Sequence, residues 1–211
     1  MKITKFGHCC LLIGEKGKRI LTDPGMYSTL QNDVKDLDLI MITHEHTDHY
    51  HIDSLKIILQ NNPQAKIITN TTVGALLDKE GITYTVVEEG QTYSDLGFPI
   101  EAYGTKHAMM HSSIPLSNNT GYFFADRFFY PGDAFTNPKR PVDILALPVA
   151  GPWMKISEAI DYALEVKPKI VFPVHDGILV NPALPHRIPN IVLPQNNIQF
   201  IVLEVGKETE L

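Results

Sequence analysis

The feature that most restricts the fold of this chain is an apolar run that ends in a group of histidines and is followed by a helical pattern. Residues 37–42 are nearly all apolar, as in a buried β-strand, and the apolar residues of 52–59 recur at helical spacing. Residues 43–49, between them, read Thr-His-Glu-His-Thr-Asp-His. A strand, a polar turn and a helix in this order predict an α/β protein that carries functional groups on the loops after its strands.

The histidines and the aspartate of this turn are suited to binding a transition metal. Imidazole and carboxylate ligands together favour zinc, manganese or iron over calcium or magnesium. In a loop that leaves a strand, His44 and His46 can point the same way and share one cation, whereas Asp48 and His49 come a turn later and suit a second. A polar helix start explains a threonine and an aspartate, but it does not explain three histidines in six residues.

The pattern His44-x-His46-x-Asp48-His49 after a strand resembles the signature of the metallo-β-lactamase superfamily. The resemblance implies a four-layer αβ/βα sandwich with one or two metal ions at the lip between its sheets. Superfamily members with a di-iron redox site have an acidic residue where this chain has His46. The match therefore favours the hydrolytic, usually zinc-dependent, members.

The opening of the chain resembles one branch of that superfamily. Gly7-His8 and Thr22-Asp23-Pro24 are similar to segments of the ascorbate-phosphate-lactonase-like branch, in which the histidine and this aspartate lie near the metal site. A histidine in a turn and a turn-forming aspartate explain the same residues equally well. Both interpretations stay open, and neither residue is counted among the predicted ligands.

Two histidines compete for the next ligand position, after the predicted strand 98–103. The resemblance implies that a histidine at this strand end completes a three-histidine site with His44 and His46. We predict that His107 is this ligand because it lies nearest the strand end. His111 is the alternative, because the serines at 112 and 113 also resemble the lactonase-like branch. If His107 is the ligand, His111 is expected to bind substrate or donate a proton.

Two further strand ends carry the remaining candidates. Asp133 follows Gly132 after a predicted hairpin, and a glycine leaves room for the carboxylate to reach a shared site. The resemblance implies that Asp133 bridges the two cations, although an aspartate in an ordinary turn explains the tetrapeptide alone. It also implies that His175, after the strand 169–174, completes the second site. Asp176 is expected to orient His175 or to assist proton transfer.

The composition agrees with a single domain that spans residues 1–211, since no linker divides the chain. A net charge of −6 without a basic stripe argues against a stable nucleic-acid partner. No apolar run is long enough to cross a bilayer, and His8 interrupts the only segment resembling a signal peptide. Cys9 and Cys10 are adjacent and can be bridged only with strain, which indicates a reducing compartment. We therefore expect a cytoplasmic protein in which Cys9 is a small core residue.

Three other features have two interpretations each. Trp153 lies in a loop rich in proline and glycine, where it either packs in the core or lines a pocket. The proline-rich segment Asn181–Pro194 is expected to form a flap or a contact in a homo-oligomer, with His186 at the surface. The segment Asn197–Val205 alternates between apolar and polar residues and predicts an edge strand.

Together these features predict a metal-dependent hydrolase with two zinc ions per chain, manganese or iron being alternatives. A water shared by two cations about 3.5–4 Å apart becomes hydroxide near neutral pH and attacks a carbonyl or phosphorus. Asp48 or Asp133 takes its proton, and the leaving group is protonated by His111, Asp176 or a metal-bound water. The expected substrate is a small ester, lactone or phosphoester. The alternatives are a phosphodiesterase or nuclease of the same superfamily and a non-catalytic metal- or ligand-binding protein.

Overall fold

The protein is built on two seven-stranded mixed sheets, seen in a computed structural model that describes residues 1–211. The first sheet contains, in spatial order, β14 (Glu208–Glu210), β1 (Lys2–Gly7), β2 (Cys10–Glu15), β3 (Lys18–Thr22), β4 (Leu39–Met41), β5 (Lys66–Thr69) and β6 (Thr85–Val86). The second contains β13 (Gln199–Phe200), β12 (Ile170–Val174), β11 (Ile144–Pro148), β10 (Phe128–Tyr130), β9 (Gly121–Phe124), β8 (Ile100–Tyr103) and β7 (Thr92–Tyr93).

Four α-helices accompany the sheets. They are α1 (Ile52–Asn61), α2 (Thr71–Lys79), α3 (Ile156–Val166) and α4 (Ala183–Val192). One apolar core lies between the sheets, a second lies between the first sheet and α1 with α2, and a third lies between the second sheet and α3. Central strands such as β11 are buried on both faces, which explains their uninterrupted apolar sequences. The predicted four-layer αβ/βα sandwich is confirmed.

The direction of the strands explains why the functional groups meet. In the first sheet β3 runs parallel to β4, and two antiparallel pairings give β1 the same direction as β3. In the second sheet β10, β11 and β12 are parallel, and β8 shares their direction through β9. The carboxyl ends of these strands therefore gather at one rim of the sandwich, which is where every predicted ligand follows its strand.

Two segments near the end of the chain, both considered in the sequence analysis, have a defined structure. The segment Asn181–Pro194 is largely helical, because α4 tolerates one proline in its first turn and a second, Pro189, inside the helix. A role of this segment as a flap or an oligomer contact stays a prediction. The predicted edge strand at 197–205 forms, but it is reduced to Gln199–Phe200. None of the helices is long and apolar enough to cross a membrane.

Candidate metal centre

The structure brings all seven predicted metal ligands together at this rim, in two overlapping clusters. The ligand atoms within each cluster lie within 4.8 Å of one another. The first cluster comprises His44, His46, His107 and Asp133, and the second comprises Asp48, His49, Asp133 and His175. Asp133 is the residue that the two clusters share, which is the position expected of a bridging carboxylate.

Hydrogen bonds on the outer side of the first cluster determine which imidazole nitrogens face inward. Thr43 Oγ1 donates to Asp23 at 2.8 Å, so the 3.0 Å bond between Thr43 Oγ1 and His44 Nδ1 requires the imidazole to be the donor. His107 Nδ1 likewise donates to the carbonyl oxygen of Ala108 at 2.6 Å. Both residues therefore use Nδ1 for the outer hydrogen bond and direct Nε2 into the cluster, as metal-binding histidines do.

His46 completes the first cluster with Nδ1, whereas His44 and His107 use Nε2. Its Nδ1 lies 3.1 Å from His44 Nε2, and its Nε2 lies 3.3 Å from the hydroxyl of Ser117. On the opposite side, His107 Nε2 lies 3.3 Å from Asp133 Oδ2. Three imidazole nitrogens and one carboxylate oxygen thus surround a common point, which fits a four-coordinate transition-metal ion.

Asp23 is the residue that orients the second cluster. Its side chain is fully buried and accepts hydrogen bonds from the backbone N–H and hydroxyl of Thr43, each at 2.8 Å. It also accepts from Tyr130 Oη at 2.6 Å and His49 Nδ1 at 2.7 Å. The bond to His49 fixes the proton on Nδ1 and turns Nε2 toward Asp133, 3.1 Å from Oδ1. Asp23 is therefore a positioning residue and not a ligand.

His8 has a comparable function toward Asp48. The backbone N–H of Gly177 donates to His8 Nδ1 at 3.1 Å, so the proton of the neutral ring is on Nε2. This Nε2 donates to Asp48 Oδ2 at 3.1 Å. Burial and the neighbouring imidazoles lower the pKa of His8 and keep the ring neutral. His8 therefore holds Asp48 in place, and both of its ring nitrogens are occupied.

The bridging carboxylate is positioned by the backbone around it. Gly132 has a φ of +65°, and a Cβ there would come within 2.3 Å of Asn119 Oδ1. Asn119 in turn accepts a hydrogen bond from the Asp133 N–H at 3.0 Å. Trp153 Nε1 donates to Asp133 Oδ2 at 3.2 Å, and His175 Nε2 lies 2.8 Å from the same oxygen. Only glycine fits before Asp133, as the sequence indicated.

The donor atoms of this centre fit a pair of transition-metal cations. His49 Nε2, His107 Nε2 and one oxygen of Asp133 are buried and have no hydrogen-bond partner. Buried polar atoms without partners are costly, and these face one another across short distances. Nitrogen and carboxylate donors in this arrangement suit zinc, manganese or iron. Cations between them would satisfy every one of these atoms.

The pKa values of the centre show which protons a bound cation would replace. Burial disfavours a charged His175, but Asp133 overrides burial and raises the pKa of His175 to about 10. Asp133 also raises the pKa of His49 well above its usual value, against the effect of burial. The same contacts hold the pKa of Asp133 well below its usual value. In the metal-free protein, protonated imidazoles therefore balance the charge of Asp133.

We predict that metal binding at pH 7 releases the protons of His49 and His175. Both pKa values are raised above neutrality, so both rings are protonated until a cation displaces the proton. Calorimetric titration of the metal-free protein with zinc in two buffers of different ionisation enthalpy measures the number of protons released. A binding enthalpy that does not depend on the buffer would contradict this assignment.

A cavity of about 480 Å³ opens over the two clusters. Besides predicted ligands, its wall contains Tyr27, Glu45, Thr47, Met110, Pro152, Trp153 and Ile178. Trp153 is 7% exposed, so it is packed like a core residue and also lines the pocket, and its N–H reaches Asp133. The two expectations for Trp153 are therefore both met.

The structure places His107, and not His111, in the centre. His111 lies in an exposed turn, where its Nδ1 accepts a hydrogen bond from the backbone N–H of Ser113. It does not line the cavity over the clusters. The catalytic role expected for His111 stays a prediction.

Asp176 does not orient His175, contrary to expectation. Its two oxygens accept hydrogen bonds from Lys5 Nζ at 2.6 Å and from His186 Nε2 at 2.9 Å. The Lys5 side chain is only 4% exposed, and the His186 side chain is 13% exposed. The expectation that His186 lies at the surface is also wrong, because Asp176 draws it inward from α4.

Two stacked αβ layers with a His/Asp centre at their common rim define a protein of the metallo-β-lactamase fold. Residues 2–175 match the family model of the beta-lactamase superfamily domain. The chain therefore belongs to this superfamily, as its histidine motif indicated.

Relatives and a solved structure agree with this assignment. Protein Rv0786c of Mycobacterium tuberculosis is 38% identical over 184 residues, which cover 85% of each chain. A UPF0173 metal-dependent hydrolase of Thermoplasma acidophilum is 28% identical and covers 83% of each chain. Igni18, a metallo hydrolase of Ignicoccus hospitalis, superposes with a TM-score of 0.77 at 22% identity, covering 100% of this chain and 98% of its own. At that identity, the similarity to Igni18 concerns the fold alone.

Proposed function

We propose that this protein is a metal-dependent hydrolase that holds two zinc ions per chain and cleaves small uncharged esters or lactones. The observation that carries the proposal is the set of buried, unpartnered nitrogen and oxygen atoms around Asp133. The name of the Thermoplasma acidophilum relative, a metal-dependent hydrolase, supports the same reaction class.

Asp48, His8 and Trp153 each have a separate role in the proposed hydrolysis. When bound, two cations supply a deprotonated water as nucleophile and polarise the oxygen of the scissile group. Asp48 faces the cavity and is 19% exposed, so its carboxylate is placed to take a proton from the attacking water. His8 keeps Asp48 in that position through Nε2–H. Trp153 donates to Asp133 and holds the shared carboxylate between the two clusters.

The outer wall of the cavity supports an uncharged acyl substrate. Tyr27, Met110 and Ile178 present apolar surface, and the wall contains neither lysine nor arginine. The one charged side chain beyond the predicted ligands is Glu45, which has one buried carboxylate oxygen without a hydrogen-bond partner. An anionic group on the substrate would be repelled by this carboxylate, whereas a hydrogen-bond donor would pair with it and an apolar acyl chain would fit the apolar side chains of the wall.

The same wall weakens the alternative of a phosphodiesterase or nuclease. Nucleic-acid backbones are held by lysine and arginine, and the cavity wall offers none. We retain a small molecule as the expected partner and the cytoplasm as the expected compartment. A non-catalytic metal-binding protein would keep the clusters but show no turnover.

The first experiment is elemental analysis of protein purified without added metal, combined with a substrate panel. The panel contains uncharged lactones, carboxylic esters, thioesters and a phosphodiester. About two zinc ions per chain and lactone or ester turnover that a chelator abolishes are expected. Preferred cleavage of the phosphodiester would favour the alternative enzyme class. Bound metal without turnover on any substrate would favour a binding protein, and two irons would reopen the di-iron redox interpretation.

We further predict that kcat/KM rises with the length of the acyl chain. Burying one methylene contributes about 0.8 kcal/mol, which corresponds to about a fourfold gain for each of the first added methylenes. Replacing Met110, which lines the cavity, by serine should reduce this gain. Met109→Ser is the matched control, because Met109 is 59% exposed and does not line the cavity. Equal slopes in the two variants would contradict the proposed acyl-binding wall.

A further inference from the structure

The second cluster has an additional donor on the side that faces the interior of the molecule. Cys9, the residue before β2, has its Sγ within 4.8 Å of ring nitrogens of His49 and His175. The thiol is free and 1% exposed, and the chemistry described above does not use it. His8 belongs to the same group, but its two ring nitrogens are already bonded to Gly177 and Asp48. A cation on this side would meet one sulfur and two imidazoles.

The backbone determines the direction of the Cys9 side chain. Its carbonyl oxygen accepts a hydrogen bond from Thr22 Oγ1 at 3.0 Å, and it lies 3.0 Å from Tyr130 Oη, whose proton is donated to Asp23. Cys9 packs in the core between the sheets, whereas Cys10 packs in the core beneath α1. Cys9 alone therefore brings its sulfur to the floor of the centre.

His175 is the predicted ligand that is free to adjust toward this sulfur. Its Nδ1 is buried without a hydrogen-bond partner, although the side chain is only 3% exposed. The other four predicted histidine ligands each have a polar contact at the nitrogen that faces away from the cluster. An outer hydrogen bond is what normally fixes the ring orientation of a metal-binding histidine. Turning the His175 ring toward the sulfur therefore breaks no outer hydrogen bond, and the contact that changes is the one between Nε2 and Asp133.

We propose that Cys9 is a ligand of the second cation, which its thiolate holds together with His49 and His175. The inference rests on the proposed metal centre and adds a sulfur to its donor set. The thiol proton passes to solvent when the metal binds. Thiolate is a soft ligand that suits zinc or iron better than magnesium, calcium or manganese. The sulfur makes the second position selective for a soft divalent cation.

Cobalt substitution tests the inference through a signal other than activity. Metal-free protein loaded with Co(II) should show a sulfur-to-cobalt charge-transfer band in the near ultraviolet, in addition to the weaker visible bands of the ion. Cys9→Ser should lose this band and bind the second equivalent of cobalt at least about tenfold more weakly. Cys10→Ser is the matched control and should retain both properties, because Cys10 is equally buried but faces α1.

A second measurement needs no variant and covers the case in which Cys9→Ser fails to fold. X-ray absorption spectroscopy of the zinc-loaded wild-type protein should show a sulfur neighbour at about 2.3 Å. Bound cobalt or zinc without the charge-transfer band and the sulfur neighbour would overturn the role of Cys9 and leave the metal centre intact. A band that persists in Cys9→Ser would overturn it as well. Failure to bind either metal would instead overturn the proposed function.

Discussion

Replacing Asp133 by asparagine is expected to abolish hydrolysis and to reduce bound metal below two ions per chain. Asp133 is the one residue common to both clusters, and its oxygens lie 3.1 Å from His49 Nε2 and 2.8 Å from His175 Nε2. The amide keeps the shape but removes the charge that holds two cations close together. A loss of several kcal/mol in transition-state stabilisation corresponds to a decrease in kcat of about 10³-fold or more.

Metal content by elemental analysis and kcat at saturating zinc together measure this effect. Asp143→Asn is the matched control, because Asp143 precedes β11 at the opposite rim and its side chain pairs with the half-buried Arg127 and the exposed Lys169. The control should retain both metals and full activity. An Asp133→Asn protein that binds two zinc ions and turns over at the wild-type rate would remove Asp133 from the centre.

The ligand set could be predicted because each of its members is a local feature of the sequence. An apolar run in the sequence shows where a strand ends. Imidazole or carboxylate groups follow these strand ends, at 43–49, 107, 133 and 175. Strands that run in one direction deliver such residues to one rim, whatever the details of packing. The convergence therefore follows from topology, and the four-layer fold follows from apolar strands that must be covered on both faces.

The residues that position the ligands could not be assigned in this way, because their partners are distant in sequence. For Asp23 the sequence left a turn former and a residue near the metal site equally open, and only the folded chain shows its bonds to His49, Thr43 and Tyr130. Gly25 likewise contacts a residue that is distant in sequence. A Cβ at Gly25 would come within 1.7 Å of the Asp48 carbonyl oxygen. The segment after β3 is thus packed directly onto the metal-binding turn. A buried aspartate with so many donors around it leaves no periodic signal in the sequence.

The errors at the end of the chain have a physical cause as well. The proline-rich segment 181–194 can be largely helical because a proline in the first turn of α4 costs no hydrogen bond, since the first N–H groups of a helix have no partner inside it. Lys5 in β1 is the cause of the error for Asp176, because its ammonium group reaches that carboxylate in the interior. His186 is also held inward, because its Nε2 bonds to the same carboxylate. Local propensity cannot reveal an ion pair that spans most of the chain.

Replacing Asp23 by asparagine is the second substitution expected to have a large effect, and it acts on both stability and metal affinity. Asp23 Oδ2 accepts from Thr43 Oγ1, His49 Nδ1 and Tyr130 Oη, and Oδ1 accepts from the Thr43 N–H. An amide NH₂ at either position faces a donor. We expect the free energy of unfolding of the metal-free protein to fall by about 3 kcal/mol, as when a buried polar pair loses one partner. Denaturant unfolding of the metal-free protein measures it.

The effect on metal binding distinguishes orientation of His49 from simple loss of stability. Without the Asp23 carboxylate, the proton of His49 is no longer held on Nδ1, so the second cation should bind about 10–100-fold more weakly. Tyr130→Phe is the matched control, because it removes one donor to Asp23 and leaves the bond to His49 in place. This control should lose about 1 kcal/mol of stability and keep its affinity for the second cation. If both variants weaken metal binding equally, Asp23 stabilises the fold without orienting His49.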